Sequence, residues 1–137
     1  MSLPKNNRKS NRYLLDTHVL LWWLTDNPKL SKNLREILAN PHNYIALSVA
    51  SAWEVAIKLK LNRKFEMNVG LEECFSSEFG FVSLPIELKH IFALQKIENL
   101  HKDPFDRILI AQAVAEDLVL LSVDEKIKQY GGVEVVG

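Results

Sequence analysis

Five short apolar runs constrain this chain more than anything else in it: YLLD at 13–16, YIAL at 44–47, FVSL at 81–84, VLLSV at 119–123 and VEVV at 133–136. Segments of helical periodicity separate them. Runs this brief and this continuously apolar suit strands buried on both faces, the habit of a parallel sheet covered by helices. Strand alternating with helix predicts an α/β fold with three layers, α/β/α, around a mostly parallel five-stranded sheet. The 137 residues suffice for one such domain and not for two. There are no repeats, no low-complexity tracts and no internal domain boundary.

The helical segments carry their own stops and starts. His18 to Thr25 is apolar nearly all round, so a helix there should be covered on more than one side. Ser31 is placed to cap KNLREILAN, which Asn40 and Pro41 end. Ser48 is placed to cap SAWEVAIKLK, where Val49, Ala52, Trp53, Ala56 and Leu59 recur at helical spacing until Asn62 and Arg63. Phe65 to Met67 reads as an extended link, GLEECFSSEF as a weaker helix closed by Gly80, and Ile86 to Ile97 as an amphipathic helix. After the loop HKDP, Pro104 opens PFDRILIAQAVAEDL, and Asp124 opens a short helix that ends at Gly131 and Gly132.

Apolar residues make up 47% of the chain and charged residues 25%, the usage of a soluble globular protein. The 17 basic and 17 acidic residues cancel, but four of the basic ones lie in the leader MSLPKNNRKSNR (1–12), which is read as flexible and outside the domain at 13–137. The domain keeps 13 basic residues against 17 acidic, a net charge of −4. A protein that gripped nucleic acid by bulk electrostatics would have a basic body. Any contact with nucleic acid would therefore have to come from local patches, metal ions or the leader. Cys74 is the only cysteine, which excludes a disulfide framework and a cysteine-based zinc site and fits a cytoplasmic location. Asp16 and His18 interrupt YLLDTHVLLWWL, no small-residue cleavage site follows, and no run approaches the roughly 20 apolar residues of a membrane span, so neither export nor membrane insertion is expected.

Four acids are candidates for chemistry, although spacing alone does not show that they converge. Asp16 ends the first strand and Asp124 follows the fourth, both on the carboxyl rim of the sheet, while Asp106 lies in the first turn of a helix and Glu54 nearly two turns into another. Each also has a structural explanation. Asp16 and Asp124 can cap the helices they precede, Asp103 in Asp-Pro-x-Asp has the register of a cap worth about 1 kcal/mol, and Glu54 can pair with Lys58 on an exposed turn. His18 reads as a packed or capping side chain, His101 as a loop residue, and His42 and His90 have no partner pattern.

Taken together, LLDTHVLLWWL, SAWEVAIK, HKDPFDRILIAQA and LLSVDEKI resemble the four successive signature segments of PIN domains, in the order and spacing of VapC-type toxins. The resemblance covers the chain from Tyr13 onward. It implies a PIN-like fold in which Asp16, Glu54, Asp106 and Asp124 are the metal-binding catalytic acids, with Thr17 and Ser122 as flanking hydroxyls and Asp103 as a cap or supporting group. It further implies an endoribonuclease that uses metal-activated water, the toxin of a type II toxin–antitoxin pair with RNA as substrate, a cognate antitoxin as partner and a homodimeric assembly.

The chemistry agrees with a hard metal. Clustered carboxylates raise one another's pKa and need a compensating cation, and oxygen donors favour Mg²⁺ or Mn²⁺. A catalytically inactive PIN-fold binding module is the alternative. Phosphoryl-transfer folds fit less well, since a dehalogenase-like site wants an acid where His18 stands and a receiver wants one after the third strand, where Ser83-Leu84-Pro85 has none. Trp22 and Trp23 are candidate partner-binding residues, because two adjacent tryptophans on one helix should not both face the core.

Overall fold

The computed structural model describes residues 12–61, 70–100 and 102–137. Most of the leader, the Phe65 to Met67 link, the stop at Asn62 and Arg63, and His101 lie outside the described residues. The elements run β1 (Arg12–Leu15), α1 (Thr17–Leu24), α2 (Lys32–Ala39), β2 (Tyr44–Ser48), α3 (Val49–Leu61), α4 (Leu71–Cys74), a 3-10 turn (Ser77–Phe79), β3 (Val82–Leu84), α5 (Leu88–Lys96), α6 (Pro104–Glu116), β4 (Val119–Leu121), α7 (Glu125–Lys128) and β5 (Val135–Val136).

All strand pairings are parallel and the order is β3-β2-β1-β4-β5. The chain builds outward from β1 through β2 to β3, then returns to the other side of β1 for β4 and β5. The strand order therefore reverses between β1 and β4, which is where a doubly wound sheet opens a crevice at its carboxyl end. The register pairs Leu14 with Ala46 and Leu120 across the three central strands.

Alternation along those strands divides the core in two. Leu14, Ala46 and Leu120 point to one face, where they meet Ala50, Leu109, Ile110, Ala113 and Ile127 from α3, α6 and α7. Tyr13, Leu15, Ile45, Leu47, Val119 and Leu121 point to the other, against Val19, Leu20, Leu34, Leu38 and Cys74 from α1, α2 and α4. These are the three expected layers. Short strands with no polar face demand this double cover.

The local signals behave as their chemistry requires. The Ser31 hydroxyl accepts from Leu34 N at 3.2 Å, and the Asp103 carboxylate accepts from Phe105 N at 2.8 Å and Asp106 N at 3.3 Å, with Pro104 in the first turn. Several boundaries differ, two of them for a visible reason. α6 stops at Glu116 because Asp117 turns left-handed at φ 55°, and GLEECFSSEF breaks into α4 and the 3-10 turn before Gly80, which has φ 72°.

α3 departs most from its apolar spacing. Val49, Trp53 and Leu59 are exposed, Trp53 at 61%, whereas Ala50, Ser51 and Val55 are buried. Polar anchors decide the matter. The Ser48 hydroxyl donates to Gln112 Oε1 at 2.6 Å and accepts from Ala50 N, while the Thr17 hydroxyl donates to Ser51 Oγ at 2.8 Å. These buried bonds rotate the helix so that Ser51 and Glu54 face inward, at the expense of the apolar stripe.

Gln112 is fully buried, and its amide also donates to Pro85 O at 3.2 Å and approaches His90 Nδ1 at 3.4 Å. His90, equally buried, accepts from Glu87 N through Nδ1, so Nε2 carries the proton toward Glu116 Oε2 at 2.7 Å. The network ties β2 and α3 to α5 and α6. Replacing Gln112 with Leu strands the Ser48 hydroxyl and the Pro85 carbonyl and should cost about 1–3 kcal/mol in urea unfolding; an unchanged midpoint would mean that these bonds are not formed in solution.

Candidate active site

The four acids and Asp103 line one cavity of about 430 Å³, together with Thr17, His18, Trp22, Lys58, Val123. Its floor is the switch point between β1 and β4. Asp16 follows β1 directly and its backbone N–H donates to Leu121 O at 3.1 Å, so the end of β4 fixes its position. Asp124 follows β4 at the start of α7, Asp106 comes from the first turn of α6, and Glu54 from α3.

Asp16 stands where a helix cap would, yet its side chain makes no capping bond. It accepts instead from the Ser122 hydroxyl at 2.8 Å, and that hydroxyl in turn accepts from Asp124 N at 3.1 Å. Ser122 thus links two of the acids. Asp16 is only 4% exposed, and burial is the main reason its carboxyl holds a proton more tightly than an ordinary aspartate. The Ser122 hydrogen bond opposes that rise, Glu54 adds to it, the nearby His18 opposes it, and Asp124 adds to it.

Asp124 does act as a cap, accepting from Lys126 N at 2.8 Å. Glu54 is no surface acid. Its side chain is 14% exposed, Oε2 lies 3.3 Å from Lys58 Nζ, and Oε1 is buried without a hydrogen-bond partner among the described residues. A buried carboxylate oxygen without a donor is costly, and it is what a cation would satisfy. Among the described residues no three acids or histidines are drawn close enough to grip one ion as they stand. The donor set nonetheless suits a hard divalent metal, all oxygen and rich in charge, with one oxygen already stripped of partners.

Several residues at the cavity were misread or unsuspected in the sequence. His18 is exposed rather than packed, and its ring meets Trp22 edge-on with centroids 4.7 Å apart. Trp22 and Trp23 are both half-buried against the α1 side of the core, so neither points fully outward; Trp22 is the one that reaches the cavity. Lys58 was legible only as a pairing partner for Glu54. Trp53 and Phe105, each one residue before an acid, form an edge-to-face pair at 5.0 Å that joins α3 to α6.

A carboxylate pocket at the switch point of a parallel sheet defines a class of acid-centred α/β proteins. The match of the PIN domain model to residues 13–133 makes the membership specific: this chain belongs to the PIN domain family. Solved structures agree on the fold. The chain is similar to the VapBC2 complex of Rickettsia felis bound to a promoter DNA fragment, at TM-score 0.70 and 20% identity over 90% of this chain and 96% of that one. It is similar to FitAcB of Neisseria gonorrhoeae at 0.64 and 17%, and to DNA-bound VapBC of Salmonella typhimurium at 0.63 and 12%, in each case over 91% of this chain and 96% of the other. No match was found among curated proteins.

The raised proton affinity of Asp16 has a stability consequence. Above its ordinary value of 3.8 the unfolded chain has released the proton that the folded chain still holds, so metal-free stability should fall as pH rises through the folded value and level off above it. Asp16→Asn keeps an acceptor for Ser122 and removes the buried charge. Without metal at neutral pH it should melt above wild type, and Mn²⁺ should raise the melting temperature of wild type more than that of the variant. Equal gains from Mn²⁺ in both would remove Asp16 from the metal site.

Proposed function

We propose that this chain is a Mg²⁺- or Mn²⁺-dependent endoribonuclease and the toxin of a type II toxin–antitoxin pair. The observation that carries the reading is the convergence of Asp16, Glu54, Asp106 and Asp124 on one cavity, with a buried Glu54 oxygen awaiting a cation. PIN domains are typically nucleases. The similar solved structures include toxin–antitoxin complexes, one of them from Klebsiella pneumoniae.

In this reading the four acids would hold the metal, which when bound would supply activated water and neutralise charge on the phosphoryl oxygens. Ser122 keeps Asp16 aimed into the cavity. The Thr17–Ser51 bond locks α1 to α3 and so sets Glu54 against Asp16, and Asp103 fixes the first turn of α6 and with it Asp106. The water oxygen would join phosphorus as the bond from phosphorus to one ribose oxygen breaks and a proton from the water ends on that departing oxygen, so that the cut chain ends in a phosphate on one side and a hydroxyl on the other.

The partners follow the same reasoning. Trp22, half-buried at the cavity rim on α1, is the better placed of the two tryptophans to meet an antitoxin segment, with Trp23 beside it. A homodimer would cover apolar side chains exposed along α5, among them Leu88 and Phe92. Among the described residues no helix is long and apolar enough to cross a membrane, and a cytoplasmic location belongs to this proposal.

Asp106→Asn should abolish metal-dependent cleavage of RNA with little change in melting temperature. Asp103→Asn should keep cleavage and lose about 1 kcal/mol or less, the worth of a helix cap. Gel assays with purified variants in Mn²⁺ and in excess chelator check this; cleavage that survives Asp106→Asn and is lost in Asp103→Asn would reverse the assignment. A wild type that binds Mn²⁺ but cuts nothing would favour the inactive binding module.

A further inference from the structure

Among the described residues that line the acid cavity, Lys58 is the only lysine or arginine. Its ammonium sits one helical turn beyond Glu54, 3.3 Å from Oε2, and the two halves of this pair are unequal. The carboxylate is 14% exposed, with its second oxygen buried and unpartnered among the described residues, whereas the lysine side chain is 46% exposed. The acid is anchored. The ammonium stands on a flexible stem with open solvent beside it.

A phosphodiester that enters this cavity meets five carboxylates. The domain around it carries a net charge of −4 and has no basic excess to draw a polyanion inward. Metal can neutralise the acids, but an ion that takes up Glu54 also competes with Lys58 for the same carboxylate. The displaced ammonium then lies at the mouth of the cavity with three donors and no partner from that pair.

We propose that Lys58 is the residue that grips the substrate's phosphodiester: it rests on Glu54 while the acids are metal-free, and on metal binding it passes to a nonbridging phosphate oxygen of single-stranded RNA. This rests on the nuclease reading given above. It assigns Lys58 a dual part, as competitor for the metal and as receptor for the backbone. An ordinary i,i+4 pair would play neither. Lys32 and Glu36 on α2 form such a pair at 4.0 Å, with both side chains largely exposed, and serve as the control.

Two measurements test the inference. Calorimetric Mn²⁺ titration should show Lys58→Met binding the ion about two- to fivefold more tightly than wild type, the competition an exposed pair can exert. Fluorescence anisotropy with an end-labelled, mixed-sequence single-stranded RNA in Mn²⁺, on an Asp106→Asn background that leaves the RNA whole, should show Lys58→Met binding about tenfold more weakly. Over a salt series its log–log slope should be shallower by about 0.7, one phosphate contact on a single strand. Lys58→Arg should retain the slope, and Lys32→Met should match the parent in every respect. If Lys58→Met equals Lys32→Met in RNA affinity and slope while wild type binds Mn²⁺ and cuts RNA, the role of Lys58 is refuted and the nuclease reading stands. If wild type neither binds Mn²⁺ nor cuts RNA, the nuclease reading fails and the role of Lys58 with it.

Discussion

The structure turns on the burial of Asp16. A carboxylate at the carboxyl end of a central strand, 4% exposed and joined in its cavity by Glu54, Asp103, Asp106 and Asp124, is an electrostatic load that a domain of this size has little reason to carry for stability alone. Its proton affinity is raised chiefly because water is excluded, with other acids pressing in the same direction. Burial of this kind favours the protonated form of Asp16 unless a cation lies beside it. The protein keeps Ser122 pointed at Asp16, and Glu54 Oε1 has no donor among the described residues, the two features on which the proposed cation site rests.

Holding like charges together requires rigid surroundings, and hydroxyl and amide groups supply them. Ser122 bridges Asp16 to the backbone of Asp124, Thr17 bonds Ser51, and Ser48 bonds Gln112, which reaches on to Pro85 and His90. The Ser122–Asp16 and Thr17–Ser51 bonds span 106 and 34 residues, so they convert strand order into the position of an acid. α3 illustrates the cost. It turns Ser51 and Glu54 inward and leaves Trp53 and Leu59 in solvent, a choice no purely apolar packing would make.

Much of the fold was legible because its signals are local. Apolar runs flanked by Asp, Pro and Gly located the strands, and Ser31, Asp103 and Pro104 marked helix starts by bonds that span only a few residues. The four acids that share the cavity were nominated by the family resemblance, and the Asp-Pro-x-Asp register marked Asp103 as a helix cap, which it is. What could not be read depended on partners distant in the chain. His90 had no visible partner because Glu116 is 26 residues away, the Ser48–Gln112 bond spans 64 residues, and the exposed face of α3 followed from bonds that periodicity does not encode. Lys58 was visible only as half of a helical pair, since nothing in the sequence says that Glu54 is buried and Lys58 half-open.

The claim on which the account depends is that the acids at the β1–β4 switch point hold a divalent ion. It is tested most directly by a crystal structure of the protein soaked in Mn²⁺, with anomalous diffraction recorded at the manganese edge. The account predicts an anomalous peak within the cavity, ligated by oxygens of Asp16 and at least one of Glu54, Asp106 and Asp124. A cavity with no peak, or manganese bound only elsewhere on the surface, would contradict it.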